Sequence, residues 1–423
     1  MRIAVIGSGI AGISAAWIAA KAGHEITLYE KNTRAGGHAR TVTAQTPYGA
    51  VDVDTGFIVF NGRNYPHLMA FFAELGVAYH KSNMSFAASF SDGFEYSSKS
   101  LRGMFPSLAA LTERKRYGMI REYLRFGKSA KAFLSAPDDR SLGEFMDAYR
   151  LSHHFAQRFL FPIGAAIWSC SISTIRLQPA HSFLKFFDNH GLLEYHGQPQ
   201  WYTVTGGSKR YVDAALKSLG EMGAQLRLGA RDLRVTREED GRICVHNSES
   251  QSRYDHVVMA AHADESLAMI DKPSRLERDI LSGFRFQPNT AYLHSDPSLM
   301  PDKKNCWASW VYREQPRDDG PSSLTITYWM NLLQNLDQRT PLLVTLNPAR
   351  PPAAELTYDS AHFTHPIFDA RAIEAQGRIV EMNGTEGISF VGAWQRHGFH
   401  EDGIFSSVRA LENIGILPPW AKA

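Results

Sequence analysis

The sequence predicts an α/β protein of two domains: a Rossmann-like, doubly wound unit assembled from separated stretches of chain, and an α+β unit inserted between them. Three observations carry this. The short apolar run Arg2–Ile6 is followed by the glycine-spaced turn Gly7-Ser8-Gly9-Ile10-Ala11-Gly12. A helix-forming segment and a second apolar run, Glu25–Glu30, complete a βαβ opening within about 30 residues. Apolar strand-like runs return at residues 254–261 and 387–392, with helical, aromatic-rich blocks between.

The elements follow in order. Arg2–Ile6 (RIAVI) has the continuous apolar character of a strand buried on both faces. Residues 7–12 form a turn, 13–22 a helix that Gly23 ends, and Glu25–Glu30 (EITLYE) a strand. Residues 34–40 (RAGGHAR) make a glycine-containing loop, and 51–60 read as strand, tight turn, strand. From 65 to 132 the pattern is mostly helical, and 141–189 is helical with aromatic residues throughout. The rhythm changes at 201–208 (WYTVTGGS), followed by a helix over 211–222 and strands at 225–235, 241–247 and 254–261. Several strand-like runs lie in 291–347, and the proline-rich stretch 348–354 reads as a surface connection. A strand at 387–392 and a helix at 404–414 close the chain. The expected division is 1–70, 201–272 and 380–423 for the first domain, and 71–200 and 273–379 for the inserted one.

Bulk properties exclude several classes. At 423 residues, more than one domain is expected. Hydrophobic content of 44% and charged content of 21% match ordinary globular proteins, which removes general disorder and a chain built of membrane spans. A net charge of +2 steers no polyanion, so no nucleic-acid partner is expected. Cys170, Cys244 and Cys306 are far apart and form no CxxC, which suits a reducing cytoplasm and no zinc site. The apolar start has the composition of a secretory leader, but the spacing of Gly7, Gly9 and Gly12 has no use in one. No uninterrupted run of about 18 apolar residues occurs, so no spanning helix is expected.

The turn carries the first chemistry. Gly7 permits the tight turn, Gly9 lets a pyrophosphate approach the backbone, and Gly12 lets helix and strand pack closely. The helix start, with Ile10 and Ala11, offers free N–H groups and partial positive charge to a phosphate. Glu30, followed by Lys31, ends the second strand eighteen residues past Gly12, where a carboxylate suits adenosine ribose hydroxyls. This unit binds a dinucleotide without separating NAD from FAD.

The next segment does separate them. Arg34, Gly36, Gly37 and Arg40 resemble the R-x-G-G-R loop of the glutathione-reductase-type flavoproteins and, more narrowly, of the flavin amine oxidase superfamily, which includes monoamine oxidases, phytoene desaturases and protoporphyrinogen oxidases. Here His38 follows the glycines and the second arginine is displaced to Arg40. The resemblance implies non-covalent FAD, with the loop glycines and an arginine against the diphosphate. It implies that Thr55, Gly56 and Phe57, after Asp54, lie beside the isoalloxazine. Gly206 and Gly207 resemble the superfamily's second-domain entry, and main-chain contacts to adenine fall around 230–233, at Asp232. Gly392 and Ala393 follow the last strand. Asp402, Gly403 and Ile404 then open a helix whose N-terminus is expected against the flavin pyrimidine, where partial positive charge favours the reduced ring. No cysteine lies in this closing segment, so thioether attachment is not expected.

The substrate is less legible. The superfamily's amine oxidases carry a two-tyrosine cage, whereas position 399 here is Phe. A closer resemblance is to bacterial NAD/FAD-binding oxidoreductases associated with cyclopropane-fatty-acid-synthase-like lipid methyltransferases. It rests on Phe161-Pro162, Ala166-Ile167-Trp168-Ser169, Asn189-His190-Gly191, Pro199-Gln200-Trp201, 345–348 (TLNP) and His365-Pro366. That resemblance implies desaturation of a methylated phospholipid or fatty acyl chain, with a lipid methyltransferase as partner. Amine oxidation, double-bond isomerisation and a non-enzymatic flavin partner are the alternatives. Trp168, Trp201, Tyr328 and Phe399 are the candidate substrate contacts, or else core aromatics. His400 and Glu401 are the candidates for proton transfer, or else structural residues. Residues 114–131 carry seven basic residues and one acid, Glu122. They form either a basic amphipathic helix on the anionic inner face of a membrane or a solvated helix on the inserted domain.

Overall fold

The computed structural model describes residues 1–168, 172–194, 197–248, 250–315 and 323–422. Ser169 and Cys170 lie outside the described residues.

A five-stranded parallel sheet organises the first half of the molecule. Its order is Gln225–Leu228, Glu25–Glu30, Arg2–Ile6, His256–Met259, Ile388–Phe390. Three distant stretches of chain therefore make one sheet. Alternation of side chains explains why Arg2–Ile6 is apolar at every position after the first. Ile3 and Val5 point to one core with the helices Ile10–Lys21, Lys209–Glu221 and His400–Glu412. Ala4 and Ile6 point to the opposite core, against the antiparallel strands Arg234–Arg237, Ile243–His246 and Gln251–Tyr254. The helices Arg275–Leu281 and Ala370–Met382 complete that second core through Ile280, Leu281, Ala372 and Ile379. The first lies outside the stretches expected for the sheet's domain, and the second begins ten residues before the boundary at 380. Packing reaches past the boundaries at 272 and 380, because a two-faced sheet needs cover on each face.

The second half is a seven-stranded sheet in the order Thr357–Ile367, Arg285–His294, Leu343–Leu346, Ser323–Trp329, Trp310–Gln315, Phe86–Ser89, Glu95–Ser97. It is antiparallel except where Phe86–Ser89 runs parallel to Trp310–Gln315. The helices Arg114–Ser135, Leu142–Ala148, Phe161–Trp168 and Ala180–Asn189 share its aromatic core. Residues 65–132 are thus less helical than their pattern suggests. Tyr79–Lys81, Phe86–Ser89 and Glu95–Ser97 are strands. Phe86–Ser89 finds its parallel partner more than 200 residues away, a tertiary pairing that local pattern does not encode.

Two small sheets lie between the halves. Thr41–Thr46 and Gly49–Asp54 form a hairpin, and Trp201–Val204 pairs with both Phe60–Asn61 and Tyr79–Lys81.

Candidate functional site

The glycine turn sits at the carboxyl end of Arg2–Ile6, where the parallel sheet hands over to the opening helix. Gly7 has a φ of 108°, and a Cβ there would stand 2.6 Å from the Ala260 carbonyl oxygen. A Cβ on Gly12 would stand 1.8 Å from the Gly7 carbonyl oxygen, so the helix can approach the turn only as glycine. Gly9 is different. Its φ of −69° and ψ of 179° suit any residue, and a Cβ there would have nothing within 4 Å. The folded chain does not need a glycine at this position, but a ligand lying against the backbone does. The opening helix has no side-chain N-cap and no acid in its first turn, leaving its N–H groups to an anion.

The loop after the second strand closes over this turn. Gly36 N–H donates to the Ser8 carbonyl at 2.9 Å, and a Cβ on Gly37 would stand 3.0 Å from Gly9 Cα. Arg34 holds the loop by donating to the carbonyls of Ala35, Gly37 and Ala39 at 2.8–2.9 Å. Arg40, expected against a diphosphate, is paired within the chain. Its guanidinium pairs with both oxygens of Asp359, at 2.6 and 3.1 Å, and with the Thr55 hydroxyl. This ties the loop to the seven-stranded sheet. Glu30 likewise braces the turn. It accepts from Ser8 N–H and Oγ and from Asn32 N–H and Nδ2, which fills its acceptor positions. Ribose hydroxyls reach it only by displacing one of these donors. Lys31 is exposed and pairs with Glu265. Asp232 is exposed in a left-handed conformation, beside Ala230, whose N–H donates to the Glu30 carbonyl.

His38 replaces the expected arginine with a neutral group. Its ring is buried beside Phe363, at 5.0 Å, and His365, at 5.3 Å. Burial pushes it well below the ordinary histidine value, with the neighbouring imidazoles adding to the effect. Its Nε2 has no hydrogen-bond partner among the described residues. A buried unsatisfied nitrogen beside an open glycine cradle and an uncapped helix start fits a dinucleotide cofactor.

Asp54, which the sequence motif leaves without a role, is a junction. It accepts from Thr41 Oγ1 at 2.6 Å, from Ser208 N–H and Oγ at 2.7–3.0 Å, and from Gln334 Nε2 at 3.1 Å. Those donors come from the hairpin, the entry turn after Gly207 and the second half of the molecule. Burial raises its pKa to about 6. Asp54→Ala should lower unfolding free energy by about 3 kcal/mol, because several buried donors lose their acceptor. A shift of the urea midpoint measures this, and an unchanged midpoint would contradict the junction.

The closing helix begins at His400, not at Asp402 as the sequence suggested. Asp402 stands at its third position and reaches back to accept from Phe399 N–H at 2.9 Å, which sets the earlier start. Gly403 serves helix packing, since a Cβ there would stand 2.8 Å from an Ile10 methyl. Ile404 is buried in the same core. Gly392 N–H donates to Ser406 Oγ, and Ala393 starts the turn that leads toward this helix.

The two proton-transfer candidates are both engaged by contacts within the fold. His400 lies face to face with Phe57, 3.7 Å between ring centres, and its Nε2 meets the Tyr211 hydroxyl at 3.0 Å. Burial pushes its pKa down to about 3, so it stays neutral. The Glu401 carboxylate accepts from the N–H groups of His67 and Leu68, at 3.0 and 2.9 Å, and so caps the helix Pro66–Leu75. Burial raises it to about 7. Those two N–H groups are more than 330 residues away in sequence, which hid the role.

Three of the four substrate candidates converge. Phe399 precedes the closing helix and lies nearly parallel to Phe186, at 5.1 Å and 21°. Phe186 also meets Trp168 at 4.9 Å and His190 at 3.9 Å, and His190 lies parallel to Trp201 at 6.0 Å. Tyr328 is buried in the seven-stranded sheet against Trp310, within the same aromatic core. His397 adjoins the cluster, its ring centre 5.9 Å from that of Phe186, and burial lowers both it and His190, the latter to about 4, so both stay neutral. An uncharged aromatic cluster therefore adjoins the N-terminus of the closing helix.

A family model described as "Flavin containing amine oxidoreductase" matches residues 10–298. A candidate flavin-containing monoamine oxidase of Mycobacterium tuberculosis, AofH, is 26% identical over 273 residues, 61% of this chain. The match spans 56% of that protein, so the chain covers about half the length of this relative. Among solved structures, a CLA-producing fatty acid isomerase from P. acnes aligns with a TM-score of 0.66 at 16% identity, over 97% of this chain and 98% of that one. Cyclohexylamine oxidase from Brevibacterium oxydans aligns with a TM-score of 0.66 at 14% identity, over 98% and 99%. At these identities the structural likeness shows the fold.

Proposed function

Since this chain belongs to the flavin containing amine oxidoreductase family and is an FAD-dependent oxidoreductase, we propose that it oxidises an apolar substrate, removing hydrogen from a fatty acyl or phospholipid acyl chain to leave a carbon–carbon double bond. The observation that carries this reading is the uncharged aromatic cluster of Phe399, Phe186, Trp168, His190 and Trp201 at the start of the closing helix. His190 and the adjoining His397 stay neutral, so an alkyl chain meets no charged ring there. One face of Phe399 is covered by Phe186, which removes half of the open aromatic surface that an alkylammonium cage would use. A methylated acyl chain as the particular substrate, and a lipid methyltransferase as partner, belong to the same proposal.

FAD, when bound, supplies the two-electron acceptor. The Gly9 turn and the opening helix would hold its pyrophosphate, and His38 would offer its Nε2. The start of the closing helix places partial positive charge beside the aromatic cluster. The cluster itself positions an alkyl chain and excludes water, which are the chain's main contributions to such a reaction.

Anaerobic addition of phospholipid or fatty acid to the FAD-loaded protein tests this. The visible band of oxidised flavin should bleach with lipid and persist with mono- and polyamines. Bleaching by amines alone would replace this proposal with amine oxidation.

A further inference from the structure

The segment from Leu101 to Leu124 exposes apolar side chains where a water-facing surface would carry polar ones. Leu101 is 80% exposed, Leu108 85% and Leu124 56%. Leu111, Tyr117 and Ile120 are exposed beside them. Tyr117 joins the helix to the segment before it: its hydroxyl donates to the Leu111 carbonyl at 2.9 Å, and its ring lies 5.2 Å from that of Phe105.

Much of this face lies on the helix Arg114–Ser135, whose opposite side is fixed. Met119, Phe126, Ala130 and Phe133 enter the aromatic core, and a Cβ on Gly127 would stand 2.3 Å from the Leu193 carbonyl oxygen. Glycine there allows close packing, so it does not weaken the helix as its propensity alone would suggest. The outward positions 117, 120, 121, 124 and 128 follow helical spacing and form one stripe along the axis.

The charges of the face are one-sided. Arg102, Arg114, Lys115, Arg121 and Lys128 form no ion pair among the described residues. The acids of the same stretch are engaged by partners. Glu113 pairs with Arg116, and Glu122 accepts from Ser152 N–H and Oγ. Exposed leucines flanked by unpaired cations, with no free acid among them, complement an interface that is apolar in depth and anionic at its surface.

We propose that this face docks the protein on an anionic lipid bilayer, with Leu101, Leu108, Leu111 and Leu124 entering the headgroup region and the free cations meeting lipid phosphates. The helix then lies flat on the membrane. Among the described residues no helix is long and apolar enough to cross one. The proposal rests on this surface and not on the substrate reading, so either can fail alone.

The test is flotation of the FAD-loaded protein with vesicles of 30% phosphatidylglycerol in phosphatidylcholine, against pure phosphatidylcholine. Binding should favour the anionic vesicles and weaken with added salt. Each free cation is expected to contribute about fivefold, so reversing Arg121 and Lys128 together to Glu should weaken binding roughly 30-fold or more. Leu108→Asp with Leu124→Asp should also abolish it, while bound flavin and its spectrum persist in both variants. No preference for anionic vesicles, or binding unmoved by both double variants, overturns the proposal. So does a solution dimer that Leu108→Asp dissociates, which would assign the face to a second copy of the chain.

Discussion

Gly9→Val leaves the protein folded and strips it of FAD. The backbone at Gly9 is extended and the position is open, so the fold has room for valine. An N-cap preference of about 1 kcal/mol is the main conformational loss. The added carbons occupy the space through which a pyrophosphate approaches the helix start. FAD affinity should fall at least about 100-fold, equivalent to roughly 2.7 kcal/mol. The reading is flavin content after purification, with far-ultraviolet circular dichroism as the check on folding. Gly12→Val is the contrast. Its Cβ would strike the Gly7 carbonyl at 1.8 Å, so that variant should lose stability as well as flavin. Equal behaviour of the two variants would mean that Gly9 serves the fold and not the cofactor.

Acid should destabilise the protein steeply between about pH 6.5 and 4.5. Burial lowers His190, His256, His294 and His365 to about 4 and His400 to about 3, and holds His38 well below its ordinary value. Unfolded, each takes up a proton near 6.5. A base depressed in the native state stabilises above its unfolded value and loses that contribution as pH falls toward the native one. Three carboxyls oppose this. Asp54 and Glu401 are raised to about 6 and 7, and burial raises Asp402 too, so the native state accepts their protons first. The balance is an uptake of about three protons on unfolding, or roughly 4 kcal/mol per pH unit near pH 5. Urea midpoints of the apoprotein at pH 7.5, 6.5 and 5.5 measure the slope. A flat profile would mean that these imidazoles titrate normally.

What was legible in the sequence was local. The first strand, glycine turn, helix and second strand lie within 30 residues, and each carries its signal in its own composition. The strand Ile388–Phe390 and the helix after it were legible for the same reason. The missed features depend on partners far along the chain. Asp54 meets Ser208 and Gln334, which are 154 and 280 residues away. Arg40 looked like a diphosphate ligand because its partner Asp359 lies 319 residues on. His400 and Glu401 were placed near the reaction by adjacency to the closing helix. In a helix start, however, neighbouring residues point in different directions, and these two point into the core and toward Pro66–Leu75. Phe399 turns to the aromatic cluster instead.

The most direct test of the account is a single turnover without oxygen, with the acyl chains recovered and weighed by mass spectrometry. Desaturation predicts one chain lighter by two hydrogens for each flavin reduced. Chains of unchanged mass with a moved double bond, and flavin left oxidised, would contradict it and make the reaction an isomerisation.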